Sequence, residues 1–326
     1  MKRTSIHSSL VIALVVATAP SFARAELPAS PAETVTTVTR HLANHDATVL
    51  WDVLPPSYQR DVTILLRTWS NKMDKRTWDK CFSVLGSLAE VLRDKKNFIV
   101  SSQTFGDQKE RAEYLANYDL GVHTLDTIVQ SDLKSLEKLK KLDPATFMES
   151  VGNQLMRSAA ELATAEGNED PFASLSKVQA KEKQQHENGN VTVTISAPGE
   201  QPVDVEFTSI EGRWLPVEMA QGWAQMMIDA HEALAKEKAP KEGDQRLLNT
   251  VFEIANAVEG AINQIKVVKT QQQWDQTAPM AAMTAGMRIM TAVQMYDNAN
   301  KQNKPANKSE SLPSEGAEDR ADGKNQ

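Results

Sequence analysis

Two histidines four residues apart, His41 and His45, with Asp46 directly after them, are the sharpest chemical feature of the chain. On a helix that spacing puts both imidazoles on one face, where together with a carboxylate they could hold a zinc ion. The glutamate of an HExxH motif is missing, however, and no other His or Cys cluster supplies further ligands. Capping or solvated side chains near a helix end are the simpler expectation, so neither a metal nor any other cofactor is assigned. His123, His186 and His231 stand alone and are expected at the surface.

A second pattern is Ser-x-x-Lys, which in serine acyl enzymes pairs a nucleophilic hydroxyl with a buried lysine that takes its proton. It occurs at Ser131 to Lys134, Ser135 to Lys138 and Ser174 to Lys177, two of the three side by side on a polar stretch. Neither SDN nor KTG accompanies them, so coincidence is expected. Cys81 adjoins Phe82 in an apolar helical stretch without a histidine or CxxC partner, which suits a buried, inert thiol. There is no Walker or Rossmann glycine pattern and no GxSxG elbow. Carboxylates are abundant but scattered, and only a fold could bring two together for acid–base work. No catalytic, cofactor-binding or metal-ligating residue is assigned.

The elements that would position any site fall into three blocks. Val35, Val38 and Leu42 mark a first helix ending near Asn44-His45-Asp46, and Pro55-Pro56 then breaks the chain. Ser57 is expected to cap a helix with Tyr58, Val62, Leu65, Trp69 and Met73 on one stripe, and Asp74 a third with Trp78, Phe82, Leu85, Ala89 and Leu92. Phe98-Ile99-Val100 reads as a loop or brief extended segment. A weak helix is expected over 107–118, then a longer one from Val122 through Leu139 to Lys140-Lys141. Asp143-Pro144 opens another, carrying Phe147, Val151, Leu155 and Leu162 and stopping at Gly167.

The second block, Leu175 to Met219, predicts a four-stranded antiparallel meander. Val191, Val193 and Ile195 alternate with Thr192, Thr194 and Ser196, and Val203, Val205 and Phe207 with Asp204, Glu206 and Thr208. One face is therefore apolar and one polar, so helices should cover one side. Asn188-Gly189, Pro198-Gly199 and Glu211-Gly212 supply three hairpin turns. Trp214 and Trp223 are expected to join the last strand to the next helix, with a core-sized loss on truncating Trp214.

In the third block, Trp223, Met226, Met227, Ala230 and Leu234 line one helix. Leu247, Val251, Ile254, Val258, Ala261, Ile265 and Val268 run as a coiled-coil-like seam expected to pack within the molecule. Pro279 should start a last helix, in which Met280, Met283, Met287 and Met290 read as core. The expected fold class is thus α+β, predominantly helical, with the meander covered on one face. Residues 26–167 form a helical region, and 168–299 the meander and C-terminal helices, as one domain with the first region or as a second. Residues 300–326 read as a disordered tail.

Lys2 and Arg3 precede the apolar run Leu10 to Ala17, and Ala23-Arg24-Ala25 has small residues where a signal peptidase reads them, so residues 1–25 are expected to be a cleaved secretory signal. No later stretch approaches the roughly 20 apolar residues of a membrane span, and no cysteine follows the cleavage site for lipid attachment. A periplasmic or secreted location follows. Cleavage removes Lys2, Arg3 and Arg24 but no acid, taking the net charge from −7 to −10. An acidic chain without a basic run offers nucleic acid no footprint. Cys81 is the only cysteine, so no intramolecular disulfide can form.

Three segments carry a family resemblance. IEGRWLPVEMAQGW, from Ile210 to Trp223, resembles the closing segment of exported domains of the nuclear-transport-factor-two-like or cystatin-like kind, in which a meander ends at a Gly-Lys/Arg-Trp turn. ETVTTVTRHLANHDATVLWDVLPPSYQRDV is similar to their opening helices, with Val35, Leu42, Asp46, Trp51 and Leu54 at matching positions. MDKRTWDKCFSVLGSLAEVLRDKKNFI resembles uncharacterised exported bacterial α+β proteins. The resemblance implies a fold and a compartment but no catalytic residue. The expected function is that of an exported non-enzymatic protein binding an envelope protein or a small ligand in a groove formed by sheet and helices. A hydrolase or isomerase whose site assembles only in the fold, and a structural helical scaffold, are the alternatives. A deep pocket with a buried carboxylate or histidine would favour the enzyme, and an exposed apolar helix face the binding protein.

Overall fold

A computed structural model describes residues 28–102, 108–236 and 242–302. The expected signal at 1–25 lies outside them, as does the expected tail from residue 303 onward. The fold is α+β and predominantly helical, with one four-stranded antiparallel sheet.

Helix α1 (Pro31–Ala43) starts where Ser30 Oγ accepts from Glu33 N, with proline at the first helical position. After the short α2 (Val49–Asp52) comes α3 (Pro56–Lys72), which begins at the second proline of the pair. Ser57 consequently sits inside the helix instead of capping it. Its free N–H donates to Glu211 Oε2 at 2.9 Å, a carboxylate brought from the last hairpin turn. Helix α4 (Lys75–Asp94) has the expected cap, Asp74 Oδ1 accepting from Thr77 N at 2.7 Å.

Phe98-Ile99-Val100 belongs to a short helix, α5 (Lys96–Ser101), neither loop nor extended. The two helices expected around residue 120 are one, α6 (Gln108–Gln130). That helix ends before Leu136, because Ser131 and Ser135 each turn their hydroxyls onto backbone N–H groups ahead, of Leu133 and Lys138. Leu136 and Leu139 therefore lie on a separate turn, α7 (Leu136–Leu139). Asp143 and Pro144 open α8 (Pro144–Phe147), which passes through a wider turn at Met148–Gly152 into α9 (Asn153–Ala165). At that turn the Ala47 Cβ approaches within 3.2 Å of where a Gly152 Cβ would lie, and Ala47 N donates to Asn153 Oδ1 at 2.6 Å.

Strands β1 (Gln179–Gln185), β2 (Val191–Ser196), β3 (Val203–Ile210) and β4 (Arg213–Pro216) pair in sequence order. The turns fall at the three expected dipeptides. At the tightest, Glu211 and Gly212 both have positive φ, 51° and 76°, as a two-residue hairpin of the right twist requires. The first strand starts later than Leu175, since 173–177 form a short helical turn.

Residues directly opposite across the ladder share a face, so Val191 with Phe207, and Val193 with Val205, line the apolar side. There Ala32 and Val35 of α1 pack on Val191, Val193 and Phe207. The other face is polar through β1–β3, with Thr194 Oγ1 donating to Asp204 and Lys183 paired with the same carboxylate. At its β4 end Leu215 and Ile210 meet Trp51, Leu54, Tyr58 and Val62 together with Trp223 and Met227 of α10 (Val217–Lys236). β4 is thus pinned between helices although the rest of that face is open.

Helix α11 (Glu242–Lys266) packs on α4 through Ala255, Val258, Ile262 and Ile265 against Val84, Leu88 and Val91; of the expected seam, Val258 and Ile265 take part in this contact, Val268 is buried and Leu247 is exposed. The last helix, α12 (Gln271–Gln302), runs antiparallel to α11. It begins well before Pro279 and continues through 300–302, where a disordered tail was expected. Its early start is held by Trp274, which is buried and stacks on Phe98 at 6.2 Å, and by Gln271 Nε2, which donates to the Phe98 carbonyl at 3.2 Å.

Pro279 therefore sits in a helix interior, where it lacks the N–H that Asp275 would accept and its ring crowds that carbonyl. Pro279→Ala is expected to raise stability by about 1–3 kcal/mol in urea denaturation. An unchanged midpoint would mean that the helix begins at the proline after all.

Candidate functional site

The histidines do not converge. His41 Nδ1 lies 2.7 Å from Asp46 Oδ2, whereas His45 turns away, its Nε2 2.9 Å from Asp170 Oδ2 and its ring edge-on to Phe172. The cause is local, since His45 ends α1 in the left-handed conformation, φ 58°, which breaks the helical i,i+4 geometry. Burial would raise the Asp46 carboxyl, but the hydrogen bonds from His41 and Thr48 outweigh it and hold the group below its usual range. Among the described residues no group of three or more His, Cys, Asp or Glu side chains is placed to hold a metal ion. What the cluster does is tie the end of α1 to the segment leading into the sheet.

The Ser-x-x-Lys pairs are occupied otherwise. Ser131 Oγ donates to the Ile128 carbonyl at 2.7 Å and accepts from Leu133 N, and Ser135 caps α7. Lys138 Nζ pairs with Asp132 at 3.1 Å on the surface, and Ser174 and Lys177 are exposed. Burial pushes the half-buried Cys81 thiol up, away from the reactive thiolate. His186 Nε2 lies 2.8 Å from Thr192 Oγ1 within the first hairpin, and His123 Nε2 lies 2.8 Å from Gln154 Nε2, a bond between α6 and α9.

The region that stands out is the α11–α12 hairpin, and it corrects an expectation. Met280, Met283, Met287 and Met290 are not core. They are 62 %, 61 %, 54 % and 61 % exposed, and Met295 is 68 % exposed. The core side of α12 is built instead from Trp274, Ala281 and Ala285, which are buried, with Ala278, Ile289 and Ala292 partly so. Alanines let two helices approach closely, and at 100° per residue they lie half a turn from the methionines, which must then point outward.

Along one flank of the same hairpin runs an open groove of about 620 Å³. Its α11 wall carries Arg246, Thr250, Glu253 and Ala257, and its α12 wall Met287, Arg288, Met295 and Tyr296. No strand contributes to it, contrary to the expected groove between sheet and helices. The spacing of its residues by three and four on both helices is legible in the sequence. Their membership of one wall depends on which helix faces meet, and that is decided by the alanines.

Among the described residues no helix is long and apolar enough to cross a membrane. No protein-family model, curated protein or solved structure matches this chain.

Proposed function

We propose that this is an exported, non-enzymatic binding protein whose α11–α12 groove receives side chains from another protein of the cell envelope. The observation that carries the reading is the pairing of an open groove with two methionines, Met287 and Met295, on its α12 wall. A small-molecule site typically encloses 70–90% of its ligand, whereas this groove is open along its length and suits a protuberance of a larger partner. Methionine side chains are unbranched and polarizable, so they repack around differently shaped apolar groups. Arg246, Glu253 and Arg288 add charges of both signs, which would orient the partner. The basic start of the sequence, its apolar run and its Ala-x-Ala site support export.

Thr250 lies on the groove wall, where it donates to the Arg246 carbonyl. In-cell crosslinking is expected to recover an envelope protein with the natural chain and to lose at least about tenfold of it with Thr250→Trp, which fills the groove. Equal recovery from both would sink the groove as the binding site, and no crosslinked protein from either would sink the reading itself.

A further inference from the structure

The groove between α11 and α12 opens at the end of the hairpin from which the chain leaves. Because the two helices are antiparallel, Arg246, the first α11 residue of the groove, lies at the same end as Met295 and Tyr296, the last of its α12 wall. Tyr296 precedes Gln302, where α12 ends, by six positions, about 9 Å of helix. The sequence beyond is unlike the rest. From Glu310 to Asp319 it carries four carboxylates and no basic residue, and Leu312 is the one large apolar side chain between Asn303 and Gln326. The groove presents the complement, with Arg246 and Arg288 against a single acid, Glu253, and with Met287 and Met295 on its wall. Arg288 makes no ion pair among the described residues.

We propose that residues 310–319 of this chain occupy its own groove and compete there with the protein partner, a regulation that rests on the groove's proposed role. Leu312 lies against the methionines, with Glu310 toward Arg246 and Glu315 toward Arg288. The spacings agree. Arg288 stands eight residues, about 12 Å, deeper in the groove than Tyr296 at the Arg246 end, and five residues of extended chain carry Glu315 about 16 Å beyond Glu310. Arginine side chains are long enough to take up the difference. Residues 303–309 supply the reversal, since Pro305 disfavours helical backbone at Lys304 and turns the chain off the helix axis. Charge selects this occupant, because a chain of net charge −7 repels an acidic stretch from most of its surface and the two arginines make the groove an exception. One leucine with two exposed ion pairs makes a weak contact, with a Kd on the order of millimolar. A short tether supplies an effective concentration of the same order, so the segment fills the groove roughly half the time. A partner with a larger apolar contact displaces it.

The test uses the full purified chain with Leu312 replaced by p-benzoylphenylalanine, photolysed and mapped by mass spectrometry. Attachment is expected within the same chain, at Met287 or Met295. Thr250→Trp and Arg288→Glu are each expected to lower its yield at least about fivefold, and Arg288→Glu combined with Glu315→Lys to restore it, with circular dichroism unchanged throughout. Attachment outside the groove, attachment only to another chain, or a yield untouched by Thr250→Trp overturns the proposal. In cells, Glu310→Lys combined with Glu315→Lys is expected to raise recovery of the crosslinked envelope protein about twofold, since freeing a half-occupied site doubles its apparent affinity. Unchanged recovery, when the same pair abolishes attachment at 312, overturns the competition. Attachment in the groove with no envelope protein recovered from any variant sinks the groove's proposed role and the competition with it. Recovery that depends on Thr250 without attachment in the groove sinks the tail contact alone.

Discussion

Replacing Trp223 by alanine is expected to lower stability by about 3–5 kcal/mol, the loss typical of a buried aromatic. Trp223 is 3 % exposed and lies flat on Tyr58, with ring centroids 4.0 Å apart and planes within 2°. Its Nε1 donates to Asp61 Oδ2 at 3.0 Å. Truncation would open a cavity under β4 and leave that carboxylate short of a donor, so two losses add. Trp223→Phe keeps an aromatic ring against Tyr58 but loses the hydrogen bond to a charged group and part of the buried ring, so its cost is expected at about 1.5–3 kcal/mol for the bond plus a smaller packing loss. Trp214 is the informative control. It is only half-buried and its Nε1 reaches the Ala29 carbonyl at a long 3.4 Å, so Trp214→Ala should cost well under half as much. Urea midpoints followed by circular dichroism rank the three. Equal losses at 214 and 223 would show that the sheet is not joined to the helices through Trp223.

Leu136→Ala is expected to cost a similar amount, about 3–5 kcal/mol. The side chain is fully buried beside Leu139 and Leu142, and Leu66, Trp69, Trp78 and Phe147 surround it. How far a cavity collapses sets the cost, and here the walls are held. Asp79 Oδ1 accepts from Leu136 N at 2.8 Å, and Trp78 Nε1 donates to the Leu133 carbonyl at 2.9 Å. A loss below about 1.5 kcal/mol, the scale of a volume-conserving swap, would mean that the segment around α7 moves inward to refill the space.

The exposed methionines change how this chain is read. The rule that an apolar helical stripe faces the core applied to α1, α3, α4 and part of α11, where Val258 and Ile265 meet α4. It failed on α12 because that helix has two stripes. One is alanine-rich and scores weakly as apolar, and the other is methionine-rich and scores strongly. Close approach to α11 favours the smaller residues, so the stronger stripe was left outside. A helix with almost no charge from Gln276 to Tyr296 was the available signal, since a solvent-facing surface is ordinarily charged.

Sequence alone determined what depends on neighbours along the chain. Helix starts at Asp74 and Asp143-Pro144, three glycine turns, and a period of two in β2 and β3 follow from capping, φ preference and pleat. The same local logic left His41 and His45, the Ser-x-x-Lys pairs and Cys81 without assigned chemistry, and the structure gives each of them a partner or a setting of its own. Tertiary structure decided what depends on distant partners. Glu211 satisfies the start of α3 in place of Ser57, Asp170 draws His45 away from His41, Phe98 holds the helix before Pro279, and α11 chooses which face of α12 to bury. Hydrogen-bond donors, ring contacts and close-packed faces are satisfied by whichever group the fold brings near, and no local pattern in the chain records which group that is.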